Sequence, residues 1–129
     1  MEFLPIERCL MDALLAGDDP TLESLRAQYA GSTVAKREGT GSGFFLDLSV
    51  PEGVSPSAPP ALRIGDVVFE FAGFPDGGEA ILWVHDGRLS NLEAFARGGV
   101  WPEGAQLESV GYFSGPERDL DWLRQSWGD

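Results

Sequence analysis

Residues 81–95 read ILWVHDGRLSNLEAF, an Asp-Gly pair (Asp86, Gly87) set between two apolar-rich runs. A two-residue hairpin loop of type I′ needs positive φ at both central positions, and Asp-Gly is among the few pairs that adopt it at little steric cost. The stretch therefore predicts a central antiparallel hairpin, with one strand over Ile81–Val84 and its partner over Leu89–Phe95.

Strand patterns continue on both sides. Asp66–Ala72 alternates through Val67, Phe69 and Phe71, and Phe44, Leu46, Leu48 and Val50 alternate with Phe45, Asp47 and Ser49, the period of a strand with one buried face. Ser32–Glu38 predicts a further strand, closed off by Gly39-Thr40-Gly41-Ser42-Gly43, and Leu107–Phe113 predicts one more. Residues 51–60 hold Pro51, Pro56, Pro59 and Pro60, which marks a surface loop; too little chain lies on either side for it to link two domains.

The ends of the chain read as helices. Phe3, Leu4, Ile6, Leu10, Met11, Leu14 and Leu15 recur at helical steps up to Gly17. Asp19 and Pro20 supply an N-cap and a first-turn proline for a second helix with Leu22, Leu25 and Tyr29 inward, ending at Gly31. Ser114, three residues before Glu117, predicts a capping box for a last helix carrying Leu120, Leu123 and Trp127. Helices at both ends of a block of strands, without β-α-β alternation, predict an α+β fold. The expected architecture is an antiparallel sheet of about five or six strands, with two N-terminal helices and one C-terminal helix on one face, all in one domain over 1–129.

Charge is the compositional outlier: 21 acidic residues face nine basic ones, for a formal net charge of −12. Phosphate neutralisation and attachment to anionic lipid both require a basic surface, so neither nucleic acid nor membrane is an expected partner. Residues 1–31 carry six acids and two arginines, 32–64 three acids and three bases, and 65–98 and 99–129 six acids and two arginines each. Negative potential spread so widely keeps a protein in solution and also speeds encounter with a cationic partner. The single cysteine, Cys9, forms no intramolecular disulfide, and no Cys/His spacing suits zinc, so neither metal nor cofactor is expected. The first fifteen residues have no basic n-region or long apolar run, which points to a cytoplasmic protein. Arginine outnumbers lysine, of which Lys36 is the one example, a bias associated with GC-rich bacterial coding.

The segments LLAGDDPTLESLRAQ (14–28), GSGFF (41–45), GDVVFEFAGF (65–74) and ILWVHDGRLSNLEAF, followed by Trp101-Pro102-Glu103, resemble a family of small uncharacterised bacterial proteins with the same order of pieces. The resemblance spans most of the chain outside the proline loop. It implies no established activity.

Chemistry-bearing residues are sparse. Gly39, Gly41 and Gly43 are followed by a strand rather than a helix N-terminus, so they mark a turn rather than a phosphate loop. The sole histidine, His85, stands beside the hairpin turn with no marked nucleophile. Cys9 lies in a helix without an activating group. Asp76 with Glu79, and Asp18 with Asp19, lack the ligand spacing of a calcium loop. Trp101 lies in a loop between Gly98-Gly99 and Pro102-Glu103, where a tryptophan serves either as a lid on the core or as an anchor for a partner.

Two readings follow. The leading one is a non-enzymatic protein-interaction module, an immunity-like binder of a basic partner such as a nuclease toxin, with Trp101 and Glu103 at the contact and self-association an open alternative. The other is a small-molecule binder or weak enzyme with an apolar pocket between helices and sheet, drawing on Phe44, Phe69, Phe71, Trp83 and Phe95, with His85 or Glu70 as its polar group.

Overall fold

Asp86 (φ 53°) and Gly87 (φ 73°) both occupy the left-handed region, as the Asp-Gly turn requires. They join β4 (Gly78–His85) to β5 (Arg88–Ala96), the central hairpin. The computed structural model describes residues 1–128, and the remaining elements are α1 (Pro5–Leu14), α2 (Pro20–Ala30), β1 (Thr33–Gly39), β2 (Gly43–Ser49), β3 (Leu62–Phe71), β6 (Leu107–Tyr112) and α3 (Leu120–Ser126). The strands form one antiparallel sheet in the order β1-β2-β5-β4-β3-β6. The α+β architecture is the one the sequence predicts.

β2 and β3 are consecutive in the chain but separated in the sheet by the hairpin, so the proline-rich loop is the crossover between them. It is pinned at the hairpin turn: the Ser57 N–H donates to the Gly87 carbonyl at 2.7 Å, and the Gly87 N–H to the Pro60 carbonyl at 2.8 Å. Thr21 Oγ1 adds a bond from α2 to the Ala58 carbonyl at 2.8 Å.

Side-chain alternation decides which sheet face the helices cover. Ala80, Leu82 and Val84 of β4 and Leu92, Ala94 and Ala96 of β5 are buried, in one apolar cluster with Leu10, Met11 and Leu14 of α1, Leu22 and Leu25 of α2, and Leu123 of α3. Each leucine taken fully out of water there contributes about 1.5–3 kcal/mol. All three helices therefore share one face, and Ile81, Trp83, Glu93 and Phe95, of opposite parity, lie on the other.

Three buried carboxylates, each held by an arginine distant in sequence, fasten the helices to the sheet and to one another. Glu7 accepts from Arg37 of β1 at 2.7 and 2.8 Å and from the Leu4 N–H at 2.8 Å. Asp19 takes Arg124 of α3 at 2.7 Å while capping α2 through the N–H groups of Thr21 and Leu22. Asp66 takes Arg118 through both carboxylate oxygens, at 2.6 and 2.8 Å.

Two local expectations are corrected. Ser114 does not cap the last helix: its hydroxyl donates to the Glu117 carbonyl, and Asp119 caps α3 by accepting from the Trp122 N–H at 3.0 Å. The third inward residue of α2 is Gln28 rather than Tyr29, which is half-buried against Phe3. The buried Gln28 amide donates to the carbonyls of Gly87 (2.8 Å) and Ser55 (3.1 Å) and accepts from the Leu89 N–H (3.0 Å), tying α2 to the hairpin turn. Gly31 does close α2, but at φ −107°, without left-handed geometry.

Candidate functional site: the uncovered face of the sheet

The face opposite the helices is written in three cross-strand rows. One runs Glu38, Phe45, Glu93, Ile81 across β1, β2, β5 and β4. A second runs Phe95, Glu79, Val68 across β5, β4 and β3. The third runs Lys36, Asp47, Asn91, Trp83, Arg63 across β1 to β3. Side chains directly opposite one another in such rows pack together, so Phe45 and Ile81 flank Glu93, while Trp83 lies diagonally from it and Phe95 two residues along the same strand.

Several polar groups on this face are matched, and Lys36, Glu38 and Glu70, which have no side-chain partner among the described residues, are exposed to water. Asp47 Oδ1 accepts from Asn91 Nδ2 at 2.7 Å, Glu79 accepts from Arg97 at 3.1 Å, and the Arg63 guanidinium lies 5.5 Å from the Trp83 ring centre. Glu93 is different. It is half-buried in the middle of the sheet, and its carboxylate has neither hydrogen bond nor ion pair among the described residues. With Glu38, Asp47, Glu70 and Glu79 it makes five carboxylates on or beside this face, against Lys36, Arg63 and Arg97. An interface needs half-buried aromatic and branched side chains around a polar group that a partner can satisfy, and this face supplies both.

The residues singled out from sequence fall in separate places. His85 is exposed at the end of β4 opposite Arg88, and Glu70 is exposed on β3 opposite Ser109 of β6. Trp83 and Phe95 stand on the uncovered face. The structure therefore does not bring His85, Glu70 and Trp83 together between helices and sheet. The carboxylates that are buried, Glu7, Asp19 and Asp66, all have arginine partners. Burial works to raise the Asp19 carboxyl, but the hydrogen bond from Arg124, those from Leu22 and Thr21, and the Arg124 charge together outweigh it, leaving its pKa below the ordinary aspartate value.

Trp101 is half-buried at one end of the core, its ring centre 4.9 Å from Phe71, 5.5 Å from Phe44 and 5.8 Å from Phe69, with its backbone N–H donating to the Gly41 carbonyl at 3.0 Å. The lid geometry is met. Glu103 is exposed two residues further on. The free flank of Trp101 borders a groove of about 460 Å³, shared with Pro5, Ile6, Cys9, Phe44 and Leu107, among others, and lined by no charged residue. Among the described residues no three His, Cys, Asp or Glu side chains gather in a metal-binding group, and no helix is long and apolar enough to cross a membrane.

Glu93 itself was legible as one of many acids. Its position was signalled by parity, since it alternates with Leu92 and Ala94 in a strand whose other neighbours on that side are Phe95 and Asn91. No protein-family model, curated protein or solved structure matches the chain, so its function has to be read from its own surface.

Proposed function

We propose that the chain is a non-enzymatic binding module whose uncovered sheet face receives a basic protein partner. The observation that carries the reading is Glu93, a half-buried residue whose carboxylate has no protein partner among the described residues, framed by Phe45, Ile81, Trp83 and Phe95 on a face no helix covers. A lysine or arginine from the partner would satisfy Glu93 while surrounding apolar groups exclude water, the setting in which a charge pair contributes most to holding a complex. The net charge of −12 supplies long-range attraction toward a cationic surface. The contact is thereby moved from Trp101 and Glu103 to the sheet, because Trp101 is engaged with three phenylalanines. An immunity-like role, a bacterial source and a cytoplasmic setting fit this reading and belong to the same proposal.

The test is a photo-crosslinking amino acid placed at Phe95 on the uncovered face or at the exposed Glu23 of α2, expressed in the native host. The reading predicts a discrete adduct with a basic protein from position 95 and none from position 23. Adducts from position 23 alone, or none from either, would contradict it.

A second reading has one observation in its favour. The uncharged groove beside Trp101 is of a size that holds small ligands, and an apolar molecule there would realise the small-molecule alternative, with Cys9 and Phe44 in its wall instead of His85 or Glu70. Protection of the Cys9 thiol from alkylation by a neutral aromatic such as indole separates it from the first reading.

A further inference from the structure

Phe113 and Trp122 are large aromatic residues left outside the core, 51% and 45% exposed, with ring centres 6.1 Å apart and planes 88° to each other. With Ser114, Asp119 and Asp66 they line a cleft of about 250 Å³. Both rings are placed by backbone bonds: the Phe113 N–H donates to the Asp66 carbonyl at 3.0 Å, and the Trp122 N–H to Asp119 Oδ1 at 3.0 Å.

The charges in the cleft are unequal in their availability. Asp66 is neutralised by Arg118, whose guanidinium also donates to the carbonyls of Leu14 (2.9 Å) and Ala16 (2.7 Å) and lies 4.9 Å from the Tyr112 ring centre. Four of the five N–H groups of that cation are engaged. Asp119 has no ion pair among the described residues, and capping α3 occupies only one of its oxygens. A carboxylate beside two aromatic rings, in a space a few heavy atoms wide, is complementary to a cation with an apolar skin. Ring quadrupoles attract such a group, most strongly where water is displaced, and the carboxylate adds a Coulombic attraction that a neutral ligand of the same shape would not feel.

We propose that the cleft formed by Phe113, Trp122 and Asp119 binds an organic cation with an alkylammonium head, free in solution or at the tip of a lysine side chain. The site is distinct from the sheet-face reading and stands or falls separately.

The experiment follows the indole N–H resonance of Trp122 in isotope-labelled full-length protein. The probes are choline, the uncharged analogue of choline with carbon in place of nitrogen, and a capped Ala-Lys-Ala tripeptide. Choline or the tripeptide should shift that resonance saturably, and the tighter of the two identifies the source of the cation. The uncharged analogue should bind at least about tenfold more weakly, equivalent to about 1.4 kcal/mol. Trp122→Leu, at a half-exposed position and followed instead through the backbone amide resonance of Phe113 in the same cleft, should abolish binding, and Asp119→Asn, which keeps an oxygen for the cap, should weaken choline several-fold while leaving the uncharged analogue unchanged. Equal affinity for choline and its analogue, binding undisturbed in both variants, or no response to either cation would overturn the proposal.

Discussion

Arg118 and Asp66, 52 residues apart in the chain, meet through two hydrogen bonds of 2.6 and 2.8 Å with both side chains almost wholly buried. The same guanidinium reaches the carbonyl of Leu14 at the end of α1 and that of Ala16 just beyond it, so one residue joins the first helix, the β3 bulge and the approach to α3. Removing one partner of such a pair strands a buried charge, which typically costs 3–5 kcal/mol. Arg118→Met is therefore expected to lower unfolding stability by about 3 kcal/mol or more, read from a shifted urea midpoint. A change within about 0.5 kcal/mol would show that the pair does not fasten the helices.

The hairpin turn gives a second prediction. At Gly87 a Cβ would need a positive φ and would meet Pro56 Cβ at 2.5 Å and the Ser57 carbonyl at 2.7 Å. Gly87→Ala should destabilise by about 2 kcal/mol, more than Gly99→Ala, where φ is also positive but nothing lies within 4 Å. Equal losses at the two glycines would remove the crossover loop from the account.

Trp101 gives a third. Deleting a half-buried indole that touches three phenylalanines leaves a void, so Trp101→Ala should cost about 2–3 kcal/mol, measured by thermal or urea unfolding. An unchanged stability would restore the anchor role that its loop position also allows.

Asp19 sets a pH dependence. Its folded pKa is lowered, so the stability it provides is present above the unfolded value of about 3.9 and is lost as pH falls through the folded one. Asp19→Asn keeps a capping oxygen but loses the charge toward Arg124. The stability gap between wild type and this variant should be widest near neutrality and close progressively below about pH 4. A gap independent of pH would mean that the loss is packing alone.

How much of this could be read from sequence depended on the range of the forces involved. The Asp86-Gly87 turn and the Asp19-Pro20 helix start are fixed by a few adjacent dihedrals, and both formed as expected. Ser114 misled because Asp119 offers an equally good cap five residues later, and the place where Leu120 and Leu123 meet the core chooses between them. The arginine partners of Glu7, Asp19 and Asp66 lie 30, 105 and 52 residues away, beyond any local pattern. Gln28 was missed because a polar residue on an inward stripe announces itself only through the turn it satisfies. The pocket grouping failed on parity: Trp83 and Phe95 alternate with the buried Leu82, Val84, Ala94 and Ala96 and so face away from the helices.

The central claim is that Glu93 on the uncovered face meets a partner's cation. The measurement is the affinity of that partner, once captured by crosslinking, for wild type, Glu93→Lys and Glu23→Lys, the last two changing net charge equally on opposite sides of the molecule. Glu93→Lys should weaken the complex by at least about 2 kcal/mol, mainly through faster dissociation, whereas Glu23→Lys should slow association a few-fold and leave dissociation unchanged. Equal effects of the two substitutions on affinity would mean that net charge alone draws the partner, and would contradict a site at Glu93.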